Sequence, residues 1–314
     1  MATTALLLDS FYKQHVTGSG HPERPERYDA ILSGLEREGL VKECARVERR
    51  SASEDEVAMA HAREYIAVAK RDIRSGAHDL STGDTAVGPR SLDVALDAVG
   101  GVLNAVDMVV GGRVKNAFCA VRPPGHHATA LRGMGFCVFN NIAVAARYAQ
   151  KKHGLARVLI ADWDVHHGNG TQDIFYHDGS VYFFSTHQSP WYPGTGAAGE
   201  TGEGSGKGST LNCPFAAGAG RSEIVGALRE RLIPAMDAFQ PELVMISAGF
   251  DSRVGDPLGQ FRLTDEDFAD LTRMLMDVAD KHAGGRVVSV LEGGYSLTGL
   301  AAGVASHVKT LTHA

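Results

Sequence analysis

The chain has 314 residues, enough for one large α/β domain or two of ordinary size. It is 44% apolar and 22% charged, a globular composition able to bury a sizeable core, and its net charge of −6 with a pI near 6.1 gives no electrostatic case for nucleic acid, which normally wants a basic face. Its four cysteines, Cys44, Cys119, Cys137 and Cys213, stand singly, which argues against a disulfide framework or a cysteine zinc cluster and for a reducing compartment.

The start, MATTALLLDSFY, carries only a short apolar run before Asp9 and no basic segment, so no signal peptide is expected. No stretch approaches the roughly 20 apolar residues that span a bilayer. A cytoplasmic location with no membrane partner is the expectation. Downstream, residues 118–121, 158–161 and 181–184, then Leu243–Ala248 and Val287–Leu291, are short apolar runs that predict buried strands. The 3.6-residue pattern predicts helices at Ser91–Val110, Asn141–His153, 222–239 and Asp265–His282, the last with Thr264 as N-cap before an acidic first turn. No repeat or low-complexity linker divides the chain, and 1–314 is expected to be one domain. Strands alternating with helices predict βαβ units, a mainly parallel sheet and helices on both faces.

Each buried run exits into polar, Gly-rich sequence: RPPGHH (122–127), DWDVHHGNG (162–170), STH (185–187), GFD (249–251) and EGGY (292–295). In open α/β sheets the site lies beyond the carboxyl ends of the strands, so five such exits predict one functional rim. The longest irregular stretch, 188–208, reads as a surface loop. Its GEGSGKGST does not make a phosphate loop, because Gly208 follows Lys207 where Ser or Thr is needed.

Asp164 and His166 form an Asp-x-His pair, and residues two apart in extended chain face the same side. Carboxylate oxygen with imidazole nitrogen suits zinc or a similar divalent ion. Asp251, ending another strand, supplies a third ligand and leaves a position open, as catalytic zinc requires. Alone, such a pair is as readily a helix cap or a surface pair. Beside a metal, tandem His126 and His127 could accept a proton from water and return one to a leaving amine. Asp162 and Asn169 are candidates to fix their tautomers, the acidic partner making its histidine more basic than the neutral one. Tyr295, on a glycine turn, could donate to a developing oxyanion; standing alone it would be a packing residue.

RPPGHHA (122–128), GFCVFNN (135–141), DWDVHHGNGTQ (162–172), SAGFDSRVGDPLGQ (247–260) and LEGGY (291–295) together resemble the histone deacetylase / acetylpolyamine amidohydrolase family, and HPERPER (21–27) resembles its N-terminal signature. Trp163, Asn169 and Glu292 resemble its class II branch. The resemblance implies the three-layer αβα arginase–deacetylase fold with about eight strands. It implies Asp164, His166 and Asp251 as ligands of one Zn2+, His126 and His127 as acid/base pair, and Tyr295 as oxyanion donor. Gly135 and Phe136 would line the acyl channel opposite Tyr192, where the family usually has phenylalanine. Leu258 matches a rim position that carries glutamate in the polyamine-selective eukaryotic branch. K+ is implied near the zinc through Asp162, Asp164, His166, Ser185 and Thr186, with a second monovalent site around Phe175, Asp178 and Val181.

The expected activity is zinc-dependent hydrolysis of linear acyl amides, with acetyl-lysine or another acyl-lysine in peptides or proteins as substrate. An acetylpolyamine amidohydrolase would use the same residues. A non-catalytic acyl-lysine binder would ordinarily have lost a catalytic group, and none is missing. A two-manganese ureohydrolase would want a further bridging carboxylate, but Ser252 and Arg253 follow Asp251.

Overall fold

A computed structural model of the chain describes residues 3–313. Eight strands form one sheet: β1 (Thr4–Leu7), β2 (Ala45–Arg46), β3 (Asn116–Cys119), β4 (Val158–Asp162), β5 (Val181–Gln188), β6 (Thr210–Phe215), β7 (Leu243–Ala248) and β8 (Val287–Leu291). All neighbours are parallel, in the order β2-β1-β3-β8-β7-β4-β5-β6. This is the arginase–deacetylase topology that the motifs imply.

The central strands are buried on both faces, which is why they read as unbroken apolar runs. Successive side chains serve opposite cores. Val158 and Ile160 pack toward the layer containing the Ser91–Val110 and Asn141–His153 helices. Leu159 and Ala161 pack toward the layer of the Asp265–His282 and Leu297–Thr312 helices.

Three of the four predicted helices keep their predicted bounds, and Thr264 closes a capping box with Asp267. The predicted 222–239 helix begins at Arg221 and contains a widened π-type turn at Leu228–Leu232. Pro234, just beyond, has no N–H and crowds the carbonyl four residues earlier, and the wider turn accommodates it. Three strands were not predicted. β1 is four residues long, β2 is two, and β6 is an edge strand with polar Asn212 and a proline at 214.

β3, β8, β7 and β4 are consecutive in the sheet, so the RPPGHH, EGGY, GFD and DWDVHHGNG exits emerge side by side. β4 and β5 are aligned so that Asp162 pairs with Ser185. The chain order breaks between β3 and β4, with β8 and β7 lying between them, and at such a switch point a crevice forms above the strand ends.

Candidate metal and acyl-amide site

Asp164, His166 and Asp251 are buried and offer ligand atoms within 4.8 Å of one another. His166 Nδ1 lies 3.0 Å from Asp164 Oδ1 and 3.2 Å from Asp251 Oδ2. Burial opposes charge on His166, but its hydrogen bond to Asp164 and the Asp251 carboxylate close beside it raise its pKa to about 10, while burial and Asp164 push Asp251 up to about 7. The cluster thus gathers negative charge that protons on the protein must offset. Fully buried Asp251 Oδ2 has His166 Nδ1 near it at 3.2 Å but not in hydrogen-bond geometry, which leaves it under-satisfied unless a cation faces it. A Cβ on Gly293 would stand 1.9 Å from that oxygen, and one on Gly249 2.1 Å from Asp164 Oδ2. Two glycines therefore keep the cradle clear, and the donor set fits one divalent ion such as zinc.

His126 and His127 leave β3 side by side, ring centroids 4.0 Å apart. His126 Nδ1 pairs with Asp162 Oδ2 at 2.9 Å, and His127 Nδ1 with Asn169 Oδ1 at 2.7 Å. Burial works against charging His126, yet Asp162, Asp164 and Glu292 together hold its pKa well above the ordinary imidazole value. Burial, with the cationic His126 and His166 beside it, holds His127 well below that value. The expected inequivalence of the two histidines is a matter of which carboxylates each one faces.

Tyr295 is buried, with its ring edge-on to Phe136 at 6.1 Å and the Arg27 guanidinium 5.1 Å from its centroid. Burial, then Asp251, push its hydroxyl pKa well above 10, so it stays a donor. His127, His166 and Tyr295 form the floor of a cavity of about 230 Å³ whose walls include Gly135, Phe136, Tyr192 and Leu258. All four predicted channel residues are therefore there. Gly135 (φ 56°) and Phe136 (φ 68°) both take left-handed backbone, and a Cβ on Gly135 would lie 2.3 Å from the His127 ring. Tyr192 packs edge-on to His127 at 5.1 Å.

Of the predicted cation residues, Asp162 ends β4 and Asp164 lies just beyond it, whereas Ser185 and Thr186 lie inside β5, which runs on to Gln188 so that STH (185–187) is strand and not its exit; all four are fully buried, and Thr186 Oγ1 has no hydrogen-bond partner. Phe175 and Val181 are buried near Asp178, whose carboxylate accepts from Ser180 and pairs with Arg147. His167, next to the ligand His166, faces elsewhere: its nitrogens bond Thr195 and Gln172, and burial pushes its pKa down to about 3.

Asp84 and Trp191 escaped the sequence reading, and so did the roles of Glu292 and of the HPERPER segment. Asp84 and Trp191 line the cavity, and Asp84 Oδ1 accepts from Gly135 N at 2.7 Å and from the Tyr192 hydroxyl at 3.2 Å. Glu292 accepts from the backbone N–H of Gly125 and His126 and from the Ser247 hydroxyl. The HPERPER segment supplies Glu23, which pairs with both Arg27 and Arg122 in a fully buried network. Arg27 also donates to the carbonyls of Glu292 and Gly294, bracing the turn that carries Tyr295. The signal for Asp84 and Trp191 was weak, since single polar or aromatic residues in loops are usually surface.

The histone deacetylase domain model matches residues 21–311, nearly the whole chain. The chain belongs to the histone deacetylase domain family. The human polyamine deacetylase HDAC10 is 43% identical over 300 residues, covering 92% of this chain and 44% of that protein. A probable deacetylase of Archaeoglobus fulgidus is 39% identical, covering 94% of this chain and 82% of its own length. The chain thus spans less than half of the human relative and most of the archaeal one. The crystal structure of the HDA15 HD domain superposes with a TM-score of 0.94 at 38% identity, covering 99% of this chain and 89% of that one. With this family and the buried Asp–His–Asp cluster, the histone deacetylase domain here carries the makings of a metal-dependent hydrolase site. Among the described residues no helix is long and apolar enough to cross a membrane.

Proposed function

We propose that this chain is one catalytic domain, spanning 1–314, that hydrolyses acyl amides of lysine side chains with one zinc ion held by Asp164, His166 and Asp251. The observation that carries the reading is convergence: His127, held neutral, and Tyr295, held protonated, border the same apolar cavity as the ligand His166, and His126, of opposite charge tendency, stacks directly behind His127 at 4.0 Å. Zinc bound there supplies a Lewis acid for the carbonyl oxygen and makes water more acidic.

The protein's own groups do the rest. Phe136, Tyr192 and Leu258 enclose the aliphatic stem of the substrate and exclude water from the floor. His127, kept neutral by its surroundings, takes a proton from the attacking water. His126, kept charged by Asp162, donates to the departing amine or stabilises the negative charge that develops. Which histidine performs the final protonation follows from the order in which they lose protons. The Tyr295 hydroxyl donates to the carbonyl oxygen as it gains charge. Thr186 Oγ1, unpartnered beside Asp162 and Ser185, supports a K+ ion at that position, with Phe175, Asp178 and Val181 as a second candidate.

Acyl-lysine is favoured because the rim offers apolar Trp191 and Leu258, while its carboxylate, Asp84, is already engaged by Gly135 and Tyr192. Acetylpolyamine is the second reading, favoured by the name of the human relative. The free state of all four cysteines supports a cytoplasmic setting. Turnover of an acetyl-lysine peptide and of acetylspermidine by zinc-loaded protein tests the proposal. The Tyr295→Phe variant should retain zinc and lose about 100-fold or more in kcat; full turnover in that variant contradicts the assigned role. Tight binding of the peptide without acetate release would point instead to a non-catalytic binder.

A further inference from the structure

Asp256 is a buried carboxylate on an otherwise exposed turn: Val254, Gly255 and Pro257 face solvent, whereas Asp256 is 7% exposed. Its two oxygens accept three backbone N–H groups. Oδ1 takes Leu258 at 3.0 Å, the short-range bond expected of an Asx turn. Oδ2 takes Tyr295 at 2.7 Å and Ser296 at 2.9 Å, partners 39 and 40 residues away that no local turn requires.

The EGGY turn is therefore gripped from two sides. Arg27 donates to the carbonyls of Glu292 and Gly294, and Asp256 accepts from the amides of Tyr295 and Ser296. Ser296 is also the N-cap of the 16-residue Leu297–Thr312 helix, whose positive end favours a carboxylate at this place. On its other side Asp256 reaches the channel mouth. Leu258, whose N–H it accepts, receives the Trp191 indole N–H on its carbonyl at 2.9 Å. Hydrogen bonds and one residue of backbone thus run from the Trp191 ring, 40% exposed at the rim, through Leu258 and Asp256 to the backbone of Tyr295.

We propose that Asp256 is a positioning residue that fixes Tyr295 toward the reacting carbonyl and ties that placement to the Trp191–Leu258 rim of the channel. The inference rests on the reading of Tyr295 as the donor to the carbonyl oxygen. An error of about 1 Å in such a donor costs on the order of 100-fold in rate. An amide in place of the carboxylate leaves one acceptor oxygen for three N–H groups and turns its own donors toward some of them, so the Tyr295 backbone has to shift.

The test is a double-mutant cycle on the zinc-loaded protein with an acetyl-lysine coumarin peptide. Asp256→Asn should lower kcat about 30-fold with KM within about twofold of the parent. In a Tyr295→Phe background the same change should lower kcat by less than about twofold, because the group it positions is gone. An equal loss in both backgrounds, a change confined to KM, or an unchanged kcat in Asp256→Asn overturns the inference. Should Asp256→Asn fail to fold, Trp191→Phe carries the test: it removes one N–H at the surface and should lower kcat about threefold in the parent and not at all in Tyr295→Phe. Equal effects of Trp191→Phe in both backgrounds overturn it. Full turnover by Tyr295→Phe alone sinks the parent reading and this inference together, whereas a crippled Tyr295→Phe beside a fully active Asp256→Asn sinks only this one.

Discussion

Gly293 offers a steric test of the metal cradle that substitutes none of the ligand residues. It stands where a Cβ would meet Asp251 Oδ2 at 1.9 Å and Asp164 Oδ2 at 2.6 Å, against a closest ordinary approach of 3.0 Å. Its backbone is not in the left-handed region, so alanine is conformationally tolerated and only the methyl acts. To admit that methyl, Asp251 Oδ2 must retreat by at least about 1 Å, several times the ~0.2 Å within which ligand distances of a metal site are held. Disturbing groups behind the ligands already costs about 10- to 100-fold in affinity, so displacing a ligand should cost at least about 100-fold. Overpacking should lower stability by about 1–3 kcal/mol and leave the chain folded. Zinc competition against a fluorescent chelator measures the affinity. Gly226→Ala, where a Cβ meets nothing within 4 Å, is the control. A Gly293→Ala protein that binds zinc one-to-one with parental affinity would refute the placement of the ion between Asp164 and Asp251.

Other consequences follow from the channel and the core. Leu258→Glu should raise the acetylspermidine to acetyl-lysine ratio of kcat/KM by about tenfold, through a charged contact with the polyamine that leucine lacks; an unchanged ratio would remove Leu258 from the determinants of selectivity. Tyr192→Phe should free the Asp84 carboxylate that its hydroxyl now engages and lower KM for cationic substrates, as steady-state kinetics at low salt will report. Buried His307 bonds Thr272 and Ser289 through its two nitrogens, and burial pushes its pKa down to about 3. The unfolded imidazole takes up a proton near pH 6.5, so stability falls as pH drops below that value and continues to fall until the folded pKa is reached, by about 1.4 kcal/mol per pH unit. His307→Gln should remove one proton from the slope of unfolding free energy between pH 4 and 5.5; identical slopes would show that His307 is not held neutral.

The fold was legible where burial is two-sided. Runs such as Val158–Asp162 have no polar residue before the functional Asp162, and helices such as Asp265–His282 announce themselves by a cap and an acidic first turn. β1, β2 and β6 were not legible: β1 and β2 have four and two residues, too few for a period to show, and β6, at the sheet edge, is interrupted by Asn212 and a proline at 214. In the site, the ligands and histidines stood out because chemistry-bearing residues crowd the strand exits. Asp84 and Asp256 did not, because each works by accepting backbone N–H groups from segments distant in sequence, and Glu292 stood out only as a class II marker and not for the N–H groups it accepts. Tyr192 lines the channel where the family usually has phenylalanine, and the hydroxyl this adds is tied to Asp84. The Asp-x-His spacing pointed to His166 rather than His167, and in the structure Asp164 and Asp251 face His166 while His167 bonds Thr195 and Gln172.

The central claim is one ion, held by three residues, serving amide hydrolysis. Zinc content and acetate release should be measured on the same samples of parent, chelator-treated and zinc-restored protein, alongside Asp251→Asn. Acetate release from acetyl-lysine peptide should track zinc, saturating at one ion per chain, vanish on chelation, return with added zinc, and stay absent in Asp251→Asn. Turnover that persists in the metal-free protein, or that requires two ions per chain, would contradict the account.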